Sequence, residues 1–96
     1  MSEIRTVGVC GAGLMGSGIA QTCASAGFDV VLMEVAKEPL ERGMTGITKS
    51  LDKFVEKGKL SQADRDATVG RIKTTTSVSD LRSCDLVIEA IVENVE

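Results

Sequence analysis

The chain has 96 residues, 43% of them hydrophobic and 26% charged, with a net charge of −3. That composition fits one small folded unit with a real core, while the acidic balance and just two aromatic residues, Phe28 and Phe54, argue against a nucleic-acid surface. No apolar run approaches the roughly 18 residues of a membrane span, and the short polar start at residues 1–5 is no signal peptide, so a cytoplasmic protein without a membrane partner is expected.

The first element expected is a strand from Thr6 to Cys10, carried by Val7 and Val9. It runs straight into Gly-Ala-Gly-Leu-Met-Gly at residues 11–16, a G-x-G-x-x-G followed at once by a helical pattern in which Met15, Ile19, Thr22/Cys23 and Ala26 recur. Each glycine has its own task in a dinucleotide site. Gly11 turns the chain tightly out of a strand, Gly13 lets a pyrophosphate approach the backbone, and Gly16 lets the helix lie close to the sheet. The phosphates would rest on free N–H groups at the positive end of that helix. Gly27 stands where a helix-ending glycine belongs. Residues 28–33, Phe-Asp-Val-Val-Leu-Met, then read as a buried parallel strand ending in Glu34. Glu34 falls close to the roughly 20-residue spacing of the carboxylate that binds the adenosine ribose, which makes NAD the expected cofactor.

A long helix is expected from Glu38-Pro39, with Leu40, Met44, Ile47, Leu51 and Phe54 as its apolar stripe and Gly58 as its stop. Ser61-Gln62-Ala63-Asp64 resembles a capping box and opens a second helix to about Arg71. This helical hairpin is longer than a crossover between neighbouring parallel strands requires, and a substrate contact would explain it. A threonine-rich strand over residues 72–77, a turn at Ser79-Asp80 and a buried strand over residues 86–92 complete the pattern. The expected fold is α/β, a Rossmann-type doubly wound parallel sheet whose first four strands lie in the order 3-2-1-4 with the hairpin inserted between strands 2 and 3. Three cysteines without metal-ligand spacing and no histidine leave neither a disulfide framework nor a metal site, and Cys10, Cys23 and Cys84 read as free thiols in small core sites. The commonest general base is missing as well.

Four segments together carry a resemblance: Met-Gly-Ser-Gly-Ile-Ala-Gln (15–21), Lys-Ser-Leu-Asp-Lys (49–53), Lys-Gly-Lys-Leu (57–60) and Val-Ile-Glu-Ala-Ile-Val-Glu-Asn (87–94). They resemble the N-terminal part of the 3-hydroxyacyl-CoA dehydrogenase family, its bacterial 3-hydroxybutyryl-CoA branch above all. The resemblance implies NAD-dependent oxidation of an L-3-hydroxyacyl-CoA in fatty-acid metabolism. By position, the loop residues Gly11, Ala12, Gly13, Leu14, Met15 and Gly16 would hold the pyrophosphate and Glu34 the ribose. Ala90 and Ile91 would wall the adenine side, and Glu93 would lie at the cofactor. Ser50 and Lys57 match coenzyme A contacts, and Lys49, Lys53 and Lys57 add positive charge at four-residue steps. The alternative for that face is a solvated helix surface. The family commonly has aspartate at the position of Glu34, and Lys37 stands nearby. Its catalytic His–Glu pair, with helper serine and asparagine, comes from segments beyond the fourth strand. The resemblance therefore implies that residues 1–96 form the N-terminal part of an NAD-binding domain of a homo-oligomeric parent, without the rest of that domain or the C-terminal helical domain. Two other readings fit the same glycine loop: a related sugar-acid dehydrogenase of the gulonate type, and a stand-alone dinucleotide-binding module.

Overall fold

The computed structural model describes residues 3–90. Its elements run β1 (Thr6–Cys10), α1 (Leu14–Ser25), β2 (Asp29–Met33), α2 (Lys37–Glu56), α3 (Gln62–Gly70), β3 (Ile72–Thr75), a short 3-10 helix (Val78–Ser83) and β4 (Leu86–Glu89). The strands make one parallel sheet in the order β3-β2-β1-β4, as the sequence pattern predicts.

Alternation along β1 explains the layering. Val7 and Val9 project to one face with Val30, Leu32 and Ile72, and meet Ala20 and Ala24 of α1 and Leu40, Ile47 and Leu51 of α2 in a single apolar core. Gly8 projects to the other face, where a methyl group would lie 2.8 Å from Leu81 Cδ2 and 2.9 Å from Cys84 Sγ. Glycine is thus what lets the 3-10 helix lie directly on the sheet. The same packing partly buries Cys84 and pushes its thiol above the ordinary value, burial being the main cause and Asp85 the second.

The helix boundaries follow local chemistry. Gly27 and Gly58 adopt φ of +102° and +72° just past the ends of α1 and α2. Ser61 caps α3, its hydroxyl accepting the Asp64 N–H at 3.1 Å. The hairpin is closed by Arg65, which bridges from α3 to Asp52 of α2 at 2.9 Å.

Several expectations change. The face of α1 on the sheet is Gly16, Ala20 and Ala24, not the stripe beginning at Met15, which is 60% exposed. Only the smallest residues fit where the helix abuts the strand-to-helix turn. The turn at Ser79-Asp80 is part of the 3-10 helix, and the threonine-rich strand ends at Thr75. Finally, β4 is not fully buried: Leu86 and Val87 are each 43% exposed and only Ile88 packs against the core, because among the described residues β4 is an edge strand that pairs only with β1. Apolar composition reads the same in a central strand and at an edge. Phe54, expected in the α2 stripe, is also largely exposed. Among the described residues no helix is long and apolar enough to cross a membrane.

Candidate dinucleotide site

Strand register assembles the site. Cys10 pairs with Met33 of β2 and with Glu89 of β4, so the next residues, Gly11, Glu34 and Ala90, emerge side by side at the carboxyl end of the sheet. Backbone bonds fix them there: Gly11 N–H donates to Met33 O at 2.8 Å, Glu34 N–H to Thr75 O at 3.1 Å, and Ala90 N–H to Cys10 O at 2.8 Å. The crevice they enclose, about 350 Å³, is lined by Cys10, Gly11, Gly13, Met33, Glu34, Val35 and Ala90. It lies where strand order reverses about β1, the place at which doubly wound sheets bind ligands.

The glycines separate by function. Gly11 has φ +110°, a turn that other residues enter only with strain. A methyl group on Gly16 would overlap the Gly11 carbonyl oxygen and lie 2.8 Å from its carbon. At Gly13 the same group would meet no atom of the described residues within 4 Å. Gly11 and Gly16 are therefore glycine for the fold, whereas the space over Gly13 is open among the described residues. Gly13 is also the N-cap of α1, with no side chain capping the helix and no acid in its first turn. The amides of Leu14, Met15 and Gly16 keep the positive helix end directed at the loop, and the Leu14 side chain, 95% exposed, stands clear of it. Ser61, by contrast, gives α3 the side-chain cap that α1 lacks.

Glu34 is half-buried. Its Oε1 accepts the Ala12 N–H at 3.1 Å and its Oε2 accepts the Val35 N–H at 3.1 Å, so the carboxylate is oriented by the loop. Each oxygen retains a lone pair for a hydroxyl donor. An NAD adenosine diphosphate fits this set: open space above Gly13, an uncapped helix start for the pyrophosphate, and an oriented carboxylate for ribose hydroxyls. Cys10 beside it stays a thiol, its pKa raised mainly by burial and further by the Glu89 and Glu34 carboxylates. Ile91 and Glu93 lie outside the described residues.

A second groove, about 390 Å³, adjoins the first at Gly13 and runs between α1 and α2 past Ser17, Gln21, Arg42, Gly43 and Ser50. Ser50 is partly buried there, its Oγ accepting Gln21 Nε2–H at 3.0 Å. Lys57 is the exposed C-cap of α2 and lies outside that groove, and Lys49 and Lys53 are exposed on the same helix. Gln21, Ser17, Arg42 and Gly43 are not among the site residues expected from the sequence. Gly43 carried a usable signal, since glycine inside a helix costs about 1 kcal/mol relative to alanine. Its reason is contact: a methyl group there would lie 2.8 Å from Ala12 O and 2.8 Å from Ser17 Oγ.

Comparison with known proteins agrees with this geometry. The family model for the NAD-binding domain of 3-hydroxyacyl-CoA dehydrogenase matches residues 6–96. A probable 3-hydroxybutyryl-CoA dehydrogenase of Deinococcus radiodurans is 55% identical over 87 residues, 91% of this chain and 31% of the relative. The 3-hydroxybutyryl-CoA dehydrogenase of Mycobacterium tuberculosis is 45% identical over 91 residues, 95% and 32% of the two chains. The crystal structure of (S)-3-hydroxybutyryl-CoA dehydrogenase from Ralstonia eutropha superposes with a TM-score of 0.93 at 45% identity, covering 97% of this chain and 33% of that one. The chain thus spans about a third of the length of these relatives. A glycine loop, an oriented acid and a hairpin matched along nearly the whole sequence leave one assignment: the chain belongs to the 3-hydroxyacyl-CoA dehydrogenase family, to its NAD-binding domain.

Proposed function

We propose that these residues serve as the NAD-holding part of an enzyme that interconverts an (S)-3-hydroxyacyl-CoA and its 3-oxo form in the cytoplasm, as part of a homo-oligomeric dehydrogenase. The observation that carries the reading is the crevice at the ends of β1, β2 and β4, where the open space over Gly13 faces the Glu34 carboxylate. When bound, NAD supplies the hydride acceptor. The residues of this chain bind and orient it: the N–H groups of Leu14, Met15 and Gly16 take the pyrophosphate, Glu34 takes the ribose, and Ala90 walls the nucleotide; Ile91 is assigned to the same adenine side and Glu93 to the cofactor by the family resemblance alone. Glu34 also sets the choice of cofactor, because a carboxylate accepts hydrogen bonds from ribose hydroxyls and repels a 2′-phosphate. Calorimetric titration tests this: NAD should bind at least tenfold more tightly than NADP, and Glu34→Gln should narrow the gap. Equal affinity in the unsubstituted chain would refute it.

The coenzyme A end of the substrate rests on the α2 face that carries Ser50 and Lys57, with Lys49 and Lys53 adding charge for its phosphates. The same feature favours an acyl-CoA over a sugar acid, which has no phosphates to place there. Lys57→Ala should weaken coenzyme A binding without changing NAD binding; unchanged affinity at low ionic strength would return Lys57 to a solvated surface. Taking the proton from the C3 hydroxyl as hydride leaves needs a base that titrates near neutral pH. The chain has no histidine, and Glu34 is committed to the nucleotide. Residues 1–96 should bind NAD and yet form no NADH from 3-hydroxybutyryl-CoA.

A further inference from the structure

We propose that Gln21 is the positioning residue of the groove between α1 and α2: by donating its amide N–H to Ser50 Oγ, it turns the Ser50 hydroxyl hydrogen outward, toward an acceptor oxygen of a coenzyme A ligand. The inference rests on the reading of Ser50 as a coenzyme A contact given above. The hydroxyls differ in how they are used, and Ser61 shares with Ser50 the accepting role, though on an exposed helix cap instead of in a groove. Ser17 donates to Ala12 O at 3.0 Å, Thr48 to Thr45 O at 3.0 Å and Thr68 to Asp64 O at 2.8 Å, so each of these spends its hydrogen on nearby backbone. Ser50 accepts from Gln21 Nε2 at 3.0 Å and donates to no acceptor among the described residues. A hydroxyl has one hydrogen, which rotates to suit its surroundings. With the amide nitrogen on one side of Oγ, the hydrogen is left to the open side, which is the groove that both residues line.

The groove has room for a ligand at that point. A methyl group on Gly18 or Gly46 would meet no atom of the described residues within 4 Å, so two more lining positions leave their space open. Gln21 also ties α1, which carries the glycine loop, to α2, which carries Ser50. One amide therefore fixes both the place of the Ser50 oxygen and the direction of its hydrogen. A ligand acceptor then meets a prepaid donor instead of a free rotor, and binding gains by the ordering it no longer has to impose.

The test is a double-mutant cycle read by calorimetric titration with coenzyme A. Gln21→Glu keeps the shape and the α1–α2 link but reverses the bond, because a carboxylate can only accept and draws the Ser50 hydrogen inward. Both Gln21→Glu and Ser50→Ala should weaken coenzyme A about tenfold, the scale of one hydrogen bond to a charged acceptor, with the thermal midpoint of Gln21→Glu unchanged. In the Ser50→Ala background Gln21→Glu should cost nothing further, which separates positioning from plain charge repulsion. The uncharged Gln21→Met should show a smaller loss that likewise vanishes in that background, and it decides the matter if Gln21→Glu does not fold. Pantetheine as a second probe identifies the acceptor: a loss shared with it points to an amide carbonyl, and a loss confined to coenzyme A points to a phosphate. An equal cost of Gln21→Glu with and without Ser50, or no cost at all, overturns the proposal while leaving Ser50 as a contact. No effect of Ser50→Ala, or no saturable binding of coenzyme A, overturns the coenzyme A reading and the proposal with it.

Discussion

Alanine at Gly16 and alanine at Gly13 change two residues of one loop for opposite reasons, and the structure sets a size for each. At Gly16 the added methyl group overlaps the Gly11 carbonyl oxygen. No side chain can move aside, because the obstacle is backbone, and that backbone is held by φ +110° at Gly11 and by its 2.8 Å bond to Met33 O. Overpacking of this kind costs about 3 kcal/mol, the top of the usual range, and the better helix propensity of alanine returns about 1, for a net loss of about 2 kcal/mol. For a domain of this size that lowers the thermal midpoint by roughly 8–16 °C. At Gly13 the methyl group meets no atom of the described residues and the residue sits at φ −69°, a conformation open to alanine. A weaker N-cap and a less flexible unfolded chain nearly cancel, so stability should change by less than about 1 kcal/mol. NAD affinity should nevertheless fall by at least about tenfold, the equivalent of about 1.4 kcal/mol. With no tryptophan or tyrosine in the chain, unfolding is followed by far-ultraviolet circular dichroism and binding by calorimetry. Gly13→Ala binding NAD as tightly as the unsubstituted chain, or Gly16→Ala matching its midpoint, would refute the division of labour between the two glycines.

Other expectations come from single residues. Asp85 accepts the N–H groups of Arg5 at 2.9 Å and Thr6 at 3.0 Å, bonds that hold its carboxyl below the ordinary range. Because the folded value is the lower one, its stabilisation is complete above about pH 4 and fades as the pH falls through the folded value. The difference in urea midpoint between the unsubstituted chain and Asp85→Asn should therefore shrink on going from pH 6 to pH 3, and a constant difference would contradict the assignment. Ser61→Ala removes the α3 cap and should cost about 1 kcal/mol in urea titration, whereas Ser79→Ala, on the exposed 3-10 helix, should cost less than half of that. Cys10 and Cys84, both raised in pKa, should be alkylated slowly at pH 8 and faster only as the pH rises further.

What could be read in the sequence was whatever depends on local spacing. Val7 and Val9 before the glycines, the acid after the second apolar run and Ser61 before α3 each carry their own signal within a few residues, and the strand order followed from the fold they imply. Contacts between elements were less legible. Nothing in the spacing of Met15 and Ile19 says that Gly16, Ala20 and Ala24 face the sheet, because periodicity gives a stripe and tertiary packing chooses the side. Val87 looks equally suited to a central strand and to the edge where it lies. The groove holding Gln21 and Ser50 joins residues 29 apart in sequence, and only the crossing of α1 and α2 brings them together.

That Gly11 to Gly16, Glu34 and Ala90 together form a cofactor site is tested most directly by titration of the isotope-labelled chain with NAD, followed amide by amide by nuclear magnetic resonance. The expected result is saturable binding with the largest shifts at the amides of Gly13, Leu14, Met15 and Gly16, accompanied by Ala12, Glu34, Val35 and Ala90, and with those of α3 and β3 unmoved. Saturable binding that leaves these amides in place, or no binding at millimolar NAD by a folded chain, would contradict it.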